Sequence, residues 1–506
     1  MAAPCLMVQG TASEVGKSVL VTALCRIFAR AGRRVAPFKS QNMSLNAAVT
    51  PDGGEIGRAQ AVQAEAAGLE PTVDMNPILL KPGADGRSQV VVRGVARATA
   101  GFAEYGAMAP ALLEVARQSL ARLRATHDLV LIEGAGSPAE INFRDTEIVN
   151  MRVARLADAP VLLIGDIERG GVFGAFVGTL ALLDAADRCR VAGLVVNKFR
   201  GDPALLAPGL AELTARTGIP VLGVIPALEG APVPSEDSLS LDRLARRPAG
   251  AVAVRVALVR LPRIASFDDF EPLAEEPGVE TRLATRAADL AGADLVVLPG
   301  SKSTIADLAW LRSSGLADAV IAHAASGGAV LGVCGGYQML GLTVSDPDGV
   351  ESEAGAVDGL GLLPVRTVFE PGKTTMRVRA RLQGAGPFPG AAGQLVHGYE
   401  IHSGRTTPIR PGVTWVSTVV ARDGGAVEEP DGAVHGAVAG TYLHGLLGNG
   451  GARRALLRWL AHRAGRAAVA TWGASSSRTA RYDRLADVVA AAVNMNVIAR
   501  LVGLRL

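Results

Sequence analysis

Six short apolar runs punctuate residues 1–230: CLMVQG, RVAPFK, DLVLIEGAG, APVLLIGD, VAGLVVNKF and PVLGVIP. Their cores are continuously apolar rather than alternating, so strands built from them need cover on both faces. Longer amphipathic stretches at 17–31, 57–68, 108–125 and 174–187 lie between them with helical spacing. Continuous apolar strands separated by helices specify a parallel sheet flanked by helices. A second series follows with VAVRVALVRL, DLVVLPG, AVLGVCGG and the run into GTYLHG. Between the two series, LEGAPVPSEDSLSLDRLARRPAG is rich in prolines, acids and bases. The expected fold is α/β, with two tandem doubly wound domains at 1–230 and 251–450. A linker at 231–250 joins them, and a helical extension covers 451–506.

Hydrophobic residues are 49% of the 506 and aromatics only 4%, so the cores must be built from Ala, Val and Leu. Lys and Arg number 51 against 48 Asp and Glu, a net charge of +3 without clustering. That balance argues against nucleic acid or a membrane surface as partner. The four cysteines (Cys5, Cys25, Cys189, Cys334) form no CxxC pair, which excludes a disulfide framework or a zinc site. The first ten residues lack a basic segment, so no signal peptide is expected. The uncharged stretch Ala319–Ser345 is broken by six glycines. It reads as a helix end, a buried strand, a tight turn and a new helix, and the chain is expected to be cytoplasmic.

QGTASEVGKS, residues 9 to 18, follows the first strand and opens the first helix. A phosphate loop reads G-x-x-x-x-G-K-[ST], and Gly16, Lys17 and Ser18 supply its end. The first glycine comes one place early: Gly10, with Thr11 in the usual position. Backbone N–H groups at such a turn, beside a helix N-terminus, cradle phosphates. Lys17 would reach the outer phosphates and Ser18 would ligate Mg2+. Glu133 ends an apolar strand, where a carboxylate is hard to bury alone, and is the expected partner of that cation. Lys39 ends the second strand, where parallel sheets bind ligands. Asn197, at a later strand end, is either a reader of the adenine edge or a plain turn residue. Asp52 and Glu55 in TPDGGEIG are either further Mg2+ or catalytic carboxylates or simply turn residues. The segment Gly10-Thr11, then Glu14-Val15-Gly16-Lys17-Ser18, resembles the loop of dethiobiotin synthetase. The resemblance implies the role this loop has in the dethiobiotin-synthetase-like amidoligases, which use it with ATP to phosphorylate a carboxylate. The related ParA/MinD switches carry a signature lysine where Ala12 stands.

In the second series, Gly332-Val333-Cys334-Gly335-Gly336 sits between a strand and a helix. Small flanking residues permit the sharp turn that exposes a nucleophile. The helix N-terminus would favour the thiolate, and the N–H of Gly335 can serve an oxyanion hole. Cys5, Cys25 and Cys189 read instead as buried structural cysteines. A cysteine nucleophile needs a base, and His444 in GTYLHG follows an apolar strand. The arrangement resembles the class I glutamine amidotransferases, which implies that Gln338 helps hold glutamine and that LPGSKST provides a second oxyanion donor near Gly300. That family's glutamate two residues after the histidine is here Leu446, so the site is a Cys–His dyad or another group orients the imidazole. VHGYEIHSGRT gathers Tyr399, Glu400, His402 and Arg405, with Glu400 and His402 on one face of a strand. It is either a solvated edge, or a substrate-binding or interdomain segment.

An ATP-binding amidoligase followed by a glutaminase describes an enzyme that amidates carboxylates with glutamine nitrogen. The longer motifs FKSQNMSLNAAVTPDGGEIGRAQAVQAEAAG, MNPILLKP, IEGAGSPAEIN, IERGGVFGA, NKFRGD, LPGSKST, GVCGGYQMLG and GYEIHSGRT together resemble the cobyric acid synthase family. The resemblance runs to about residue 448. It implies a corrinoid partner, adenosylcobyrinic acid a,c-diamide, with L-glutamine, ATP and Mg2+. The sister a,c-diamide synthases share the plan but have a loop closer to SGSGKT. A ParA/MinD-like switch would lack the glutaminase domain.

Overall fold

The computed structural model describes residues 2–83, 86–144, 146–228, 241–242, 244–353, 355–474 and 478–505. Most of the expected linker 231–250 lies outside the described residues.

All six apolar runs enter one parallel sheet. Its spatial order is Val221–Pro226, Val191–Phe199, Val161–Asp166, Cys5–Gly10, Leu129–Glu133 and Val35–Phe38. Cys5–Gly10 pairs on one side with Val161–Asp166 and on the other with Leu129–Glu133. The chain leaves Cys5–Gly10 toward Val35–Phe38 and leaves Val161–Asp166 toward Val191–Phe199, so the connections diverge at this pair of strands and open a crevice at the C-terminal edge of the sheet. Gly10 and Glu133 both finish there. The second sheet runs Val279–Ala284, Val254–Val259, Leu295–Leu298, Ala329–Val333, Val438–Thr441 and Ala433–His435. Its first five strands are parallel and the last is antiparallel.

Besides the four-stranded sheet of Ala356–Asp358, Thr343–Ser345, Val365–Val368 and Arg405–Pro408, two others were not anticipated from the sequence. One joins Gln41–Met43, Ile78–Pro82, Ser88–Val92 and Val95–Ala100; the other joins Leu395–His402, Thr374–Leu382, Ser417–Arg422 and Gly425–Asp431. Thr374–Leu382 buries Val378, Ala380 and Leu382 while Arg379 and Arg381 face out. That period-two pattern belongs to a half-covered sheet rather than a continuous apolar run. The expected helix at 174–187 is split into Val172–Leu182 and Ala185–Arg188, because the Asp184 carboxylate caps the second piece by accepting from Asp187 N at 2.8 Å.

The C-terminal extension serves both domains. Gly450–Arg463 packs Leu456, Leu457 and Leu460 into the second core. Arg478–Ala492 then returns to the first domain, where Leu485 and Val489 join Leu20, Leu24 and Phe28. Arg26 pairs with Asp483 at 2.8 Å, and Asn494 N donates to Leu222 O at 2.8 Å. The uncharged stretch resolves into Leu316–Ala325, Ala329–Val333, Gly335–Leu340 and Thr343–Ser345. Among the described residues no helix is long and apolar enough to cross a membrane.

Candidate active sites

The early glycine of the first loop has a steric cause. A Cβ on Gly10 would lie 2.6 Å from Val15 Cγ2 and 2.9 Å from Lys17 Nζ. Val15 is buried as an apolar anchor, and Gly16 takes φ 105° to start the helix Lys17–Arg30. A side chain at Gly16 would collide with Asn197, whose Nδ2 donates to Val15 O at 2.8 Å. Asn197 therefore props the loop, and it lines the same cavity as Lys17 and Ser18. Lys17 Nζ donates to Ala12 O at 2.9 Å and Gly136 O at 3.0 Å, curled where phosphates would lie. Glu14, at φ 58°, pairs with Arg169 at 3.1 Å. Thr11 N donates to Ile164 O at 3.0 Å, which ties the loop to the neighbouring strand.

Glu133 is the hub of this site. It accepts from Ser18 Oγ at 3.0 Å, Lys39 Nζ at 2.8 Å and Gln63 Nε2 at 2.5 Å. Burial works to raise its carboxyl, yet Lys39, Gln63 and Lys17 hold it below the usual carboxylate range. Adjacent hydroxyl and carboxylate oxygens suit a hard divalent cation arriving with phosphate. Lys17, Ser18, Lys39 and Glu133 line a cavity of about 1300 Å³ whose walls also carry Phe102, Tyr105 and Phe143. Asp52 is not brought here: it sits exposed in a turn, accepting from Thr50 Oγ1 at 2.5 Å. Glu55 is also elsewhere, buried between Lys81 and Lys373, each 2.5 Å away. The turn geometry of PDGG turns Asp52 outward and sends Glu55 into the boundary between the domains.

Cys334 occupies φ 51°, ψ −110°, immediately before the helix Gly335–Leu340. A non-glycine residue held there stores strain, as at a nucleophile elbow. Its glycine neighbours are needed for packing. A Cβ on Gly336 would lie 2.0 Å from Leu298 O, and one on Gly332 2.6 Å from Leu340 Cδ1. Cys334 N donates to Thr441 O at 2.9 Å, so the elbow is fastened to the strand that leads to His444. The thiol faces Ile401 O at 3.5 Å and is within hydrogen-bonding reach of His444. Gly300 is beside the ring: its Cβ would stand 3.4 Å from His444 Cε1. Gly335 abuts Ser301 N in the same way.

His444 has a carboxylate partner that the sequence pattern did not reveal. Nδ1 lies 2.7 Å from Asp269 Oδ2, and Gly445 N donates to Asp269 Oδ1 at 2.8 Å. Burial alone would lower the imidazole; the Asp269 charge and hydrogen bond, with Cys334, raise it to about 10. Asp269 sits on the short turn Phe267–Phe270, 175 residues before the histidine in the chain. No motif spacing connects them. The one available signal was a pair of acids inside the otherwise apolar FDDF.

GYEIHSGRT is part of this site, not a solvated edge. Tyr399 stacks on His444, with centroids 5.1 Å apart. His402 stacks on Tyr442 at 3.8 Å, and burial lowers its imidazole to about 4, so it stays neutral. Glu400 is buried against Arg422 at 3.1 Å. Gln338 accepts from Thr304 and donates to Ser403 O and Tyr442 OH, bracing these segments together. Cys5 and Cys25 are buried as expected, but Cys189 is exposed, since it falls just beyond the helix Ala185–Arg188.

Comparison with known proteins agrees with this two-domain plan. Residues 6–238 match the model of the CobQ/CobB/MinD/ParA nucleotide binding domain. Residues 255–452 match that of the CobB/CobQ-like glutamine amidotransferase domain. A cobyric acid synthase of Sorangium cellulosum is 56% identical over 100% of this chain and 99% of its own. One of Saccharopolyspora erythraea is 52% identical over 98% of this chain and 94% of its own. One of Dehalococcoides mccartyi strain CBDB1 is 49% identical over 97% of each.

Proposed function

This chain belongs to the cobyric acid synthase family, ligases with a glutamine amidotransferase domain, and from that premise we propose how its two sites divide the reaction. The substrate is adenosylcobyrinic acid a,c-diamide, amidated at its b, d, e and g side-chain carboxylates to give adenosylcobyric acid. ATP bound on the Gly10–Ser18 loop phosphorylates one carboxylate at a time, giving an acyl phosphate that ammonia can displace. Lys17 and Lys39 face the transferred phosphoryl group. A divalent cation brought with ATP would be held by Ser18 and Glu133 and would neutralise phosphate charge.

At the other site, Cys334 Sγ attacks the side-chain amide carbon of glutamine with its proton already carried by His444, whose imidazole Asp269 and Cys334 raise to about 10. Nδ1–H of His444 donates to Asp269, which leaves Nε2 for the sulfur. The tetrahedral oxyanion is met by N–H groups at Gly335 and near Gly300. Collapse breaks the C–N bond, and His444 returns its proton to the departing nitrogen as ammonia. Water then hydrolyses the thioester, releasing glutamate and the thiol. Ammonia attacks the acyl phosphate, and phosphate leaves with its bonding electrons.

The observation that carries this reading is the Cys334–His444–Asp269 constellation in the same chain as the Lys17–Ser18–Glu133 cluster. The test supplies ATP, Mg2+, glutamine and the a,c-diamide and follows product mass. Four successive losses of about one dalton are expected. Glutamine hydrolysis without any mass change would reject the substrate.

A further inference from the structure

The helix Arg58–Ala66 touches both candidate sites. At its start, Arg58 Nε lies 2.8 Å from Asp268 Oδ2, with side chains 16% and 4% exposed. Asp268 immediately precedes the carboxylate that holds His444. Its other oxygen, Oδ1, is buried with no hydrogen-bond partner among the described residues. The first domain grips the same turn a second time, since Phe267 N donates to Asn46 Oδ1 at 3.3 Å. Asn46 O in turn accepts from Arg58 N at 3.2 Å. Five residues along, about 7.5 Å up the helix axis, Gln63 Nε2 donates to Glu133 Oε2 at 2.5 Å.

We propose that this helix couples the sites: Arg58 is a positioning residue for Asp269 and His444, and Gln63 reports the state of Glu133. The proposal rests on the two-site function above. Ser18 and Lys39 both contact Glu133 and both face the nucleotide, so phosphate and its cation redistribute the hydrogen bonds of that carboxylate. Gln63 follows Glu133, and a single turn-and-a-half of helix transmits the shift to Arg58. Asp268 and Asp269 are consecutive on one short turn, so moving one carboxylate re-aims the other. Glutamine is then cleaved fastest when the nucleotide site is filled, and ammonia is not released idly.

The test measures glutamate release by the full chain, with and without Mg2+ and a non-hydrolysable ATP analogue. In the unsubstituted protein the analogue is expected to raise kcat at least about fivefold, the effect of roughly 1 kcal/mol off the barrier, with little change in KM for glutamine. Gln63→Leu should abolish that response. Arg58→Ala leaves a buried carboxylate unpaired and is expected to lower the melting temperature. The double variant Arg58→Ala/Asp268→Ala removes both charges, so it should regain melting temperature yet keep a basal kcat at least about tenfold low. Arg58→Lys, which retains a cation for Asp268, should recover part of the rate and of the response. A purely structural role predicts instead that the double variant recovers rate and response together with stability, which would overturn the proposal. So would an analogue without effect on the unsubstituted protein. Absence of any glutamine hydrolysis with Cys334 intact would take down the function itself, and the coupling with it.

Discussion

Asp269→Asn is the sharpest perturbation of the glutaminase site, because it keeps shape and changes one charge. In the native arrangement Oδ1 accepts from Gly445 N at 2.8 Å and Oδ2 faces His444 Nδ1 at 2.7 Å. The Gly445 N–H requires an acceptor, so the asparagine oxygen must stay there and its NH2 must point at Nδ1. Nδ1 then becomes an acceptor and the proton moves to Nε2, the nitrogen that should receive the thiol proton. The electrostatic loss is also large. The imidazole is raised from 6.5 to about 10 against the cost of burial, chiefly by Asp269 and in part by Cys334, so the carboxylate's share is the larger part of a net ~5 kcal/mol at about 1.4 kcal/mol per unit. Wrong tautomer and lost charge together should lower kcat for glutamine hydrolysis roughly a thousand- to ten-thousandfold, the scale of that substitution in a serine-protease triad. Synthesis driven by added ammonia should persist, since Asp269 does not touch the nucleotide cluster. Glutamate release and ammonia-dependent product formation, measured side by side, check both. A glutaminase rate within about threefold of the unsubstituted protein would refute the argument.

Cys334→Ala should abolish glutamine-dependent amidation and spare the ammonia-dependent reaction; loss of both would undermine the division between the sites. Gly336→Ala forces a Cβ to within 2.0 Å of Leu298 O, which should cost about 1–3 kcal/mol by overpacking, visible as a lowered melting temperature and a distorted elbow. Glu55→Gln leaves Lys81 and Lys373 buried without their shared anion and should destabilise by about 3–5 kcal/mol in urea unfolding. Burial opposes ionisation of Glu55, but the two lysines depress its carboxyl to about 2 from 4.5. Its contribution is therefore present above pH 4.5 and lost as pH falls toward 2. The variant should lack that acid-dependent slope.

Much of the fold was legible because buried parallel strands are continuous apolar runs, a signal carried within a few residues. All six first-domain runs fall in one sheet for that reason. The antiparallel additions were less visible: strands such as Val95–Ala100 are mostly exposed and alternate weakly. Local chemistry was legible where a motif is contiguous, as in the phosphate loop and the cysteine elbow, since turn sterics act between neighbours. Asp52 and Asn197 mark the limit. Each stands in a motif-rich segment, yet Asp52 turns to solvent, while Asn197 lines the cavity beside Lys17 and also donates to the backbone of Val15.

From its order of residues alone the chain determined two doubly wound sheets, an early glycine that its own loop requires, and a strained cysteine flanked by glycines. These depend on contacts within a strand, a turn or a helix end. Tertiary structure alone decided which carboxylate serves His444, what Glu55 is paired with, and that one short helix spans both sites. Those depend on side chains far apart in sequence meeting in a low-dielectric interior. There a charge without a partner is costly, and only the assembled fold determines which partner is near.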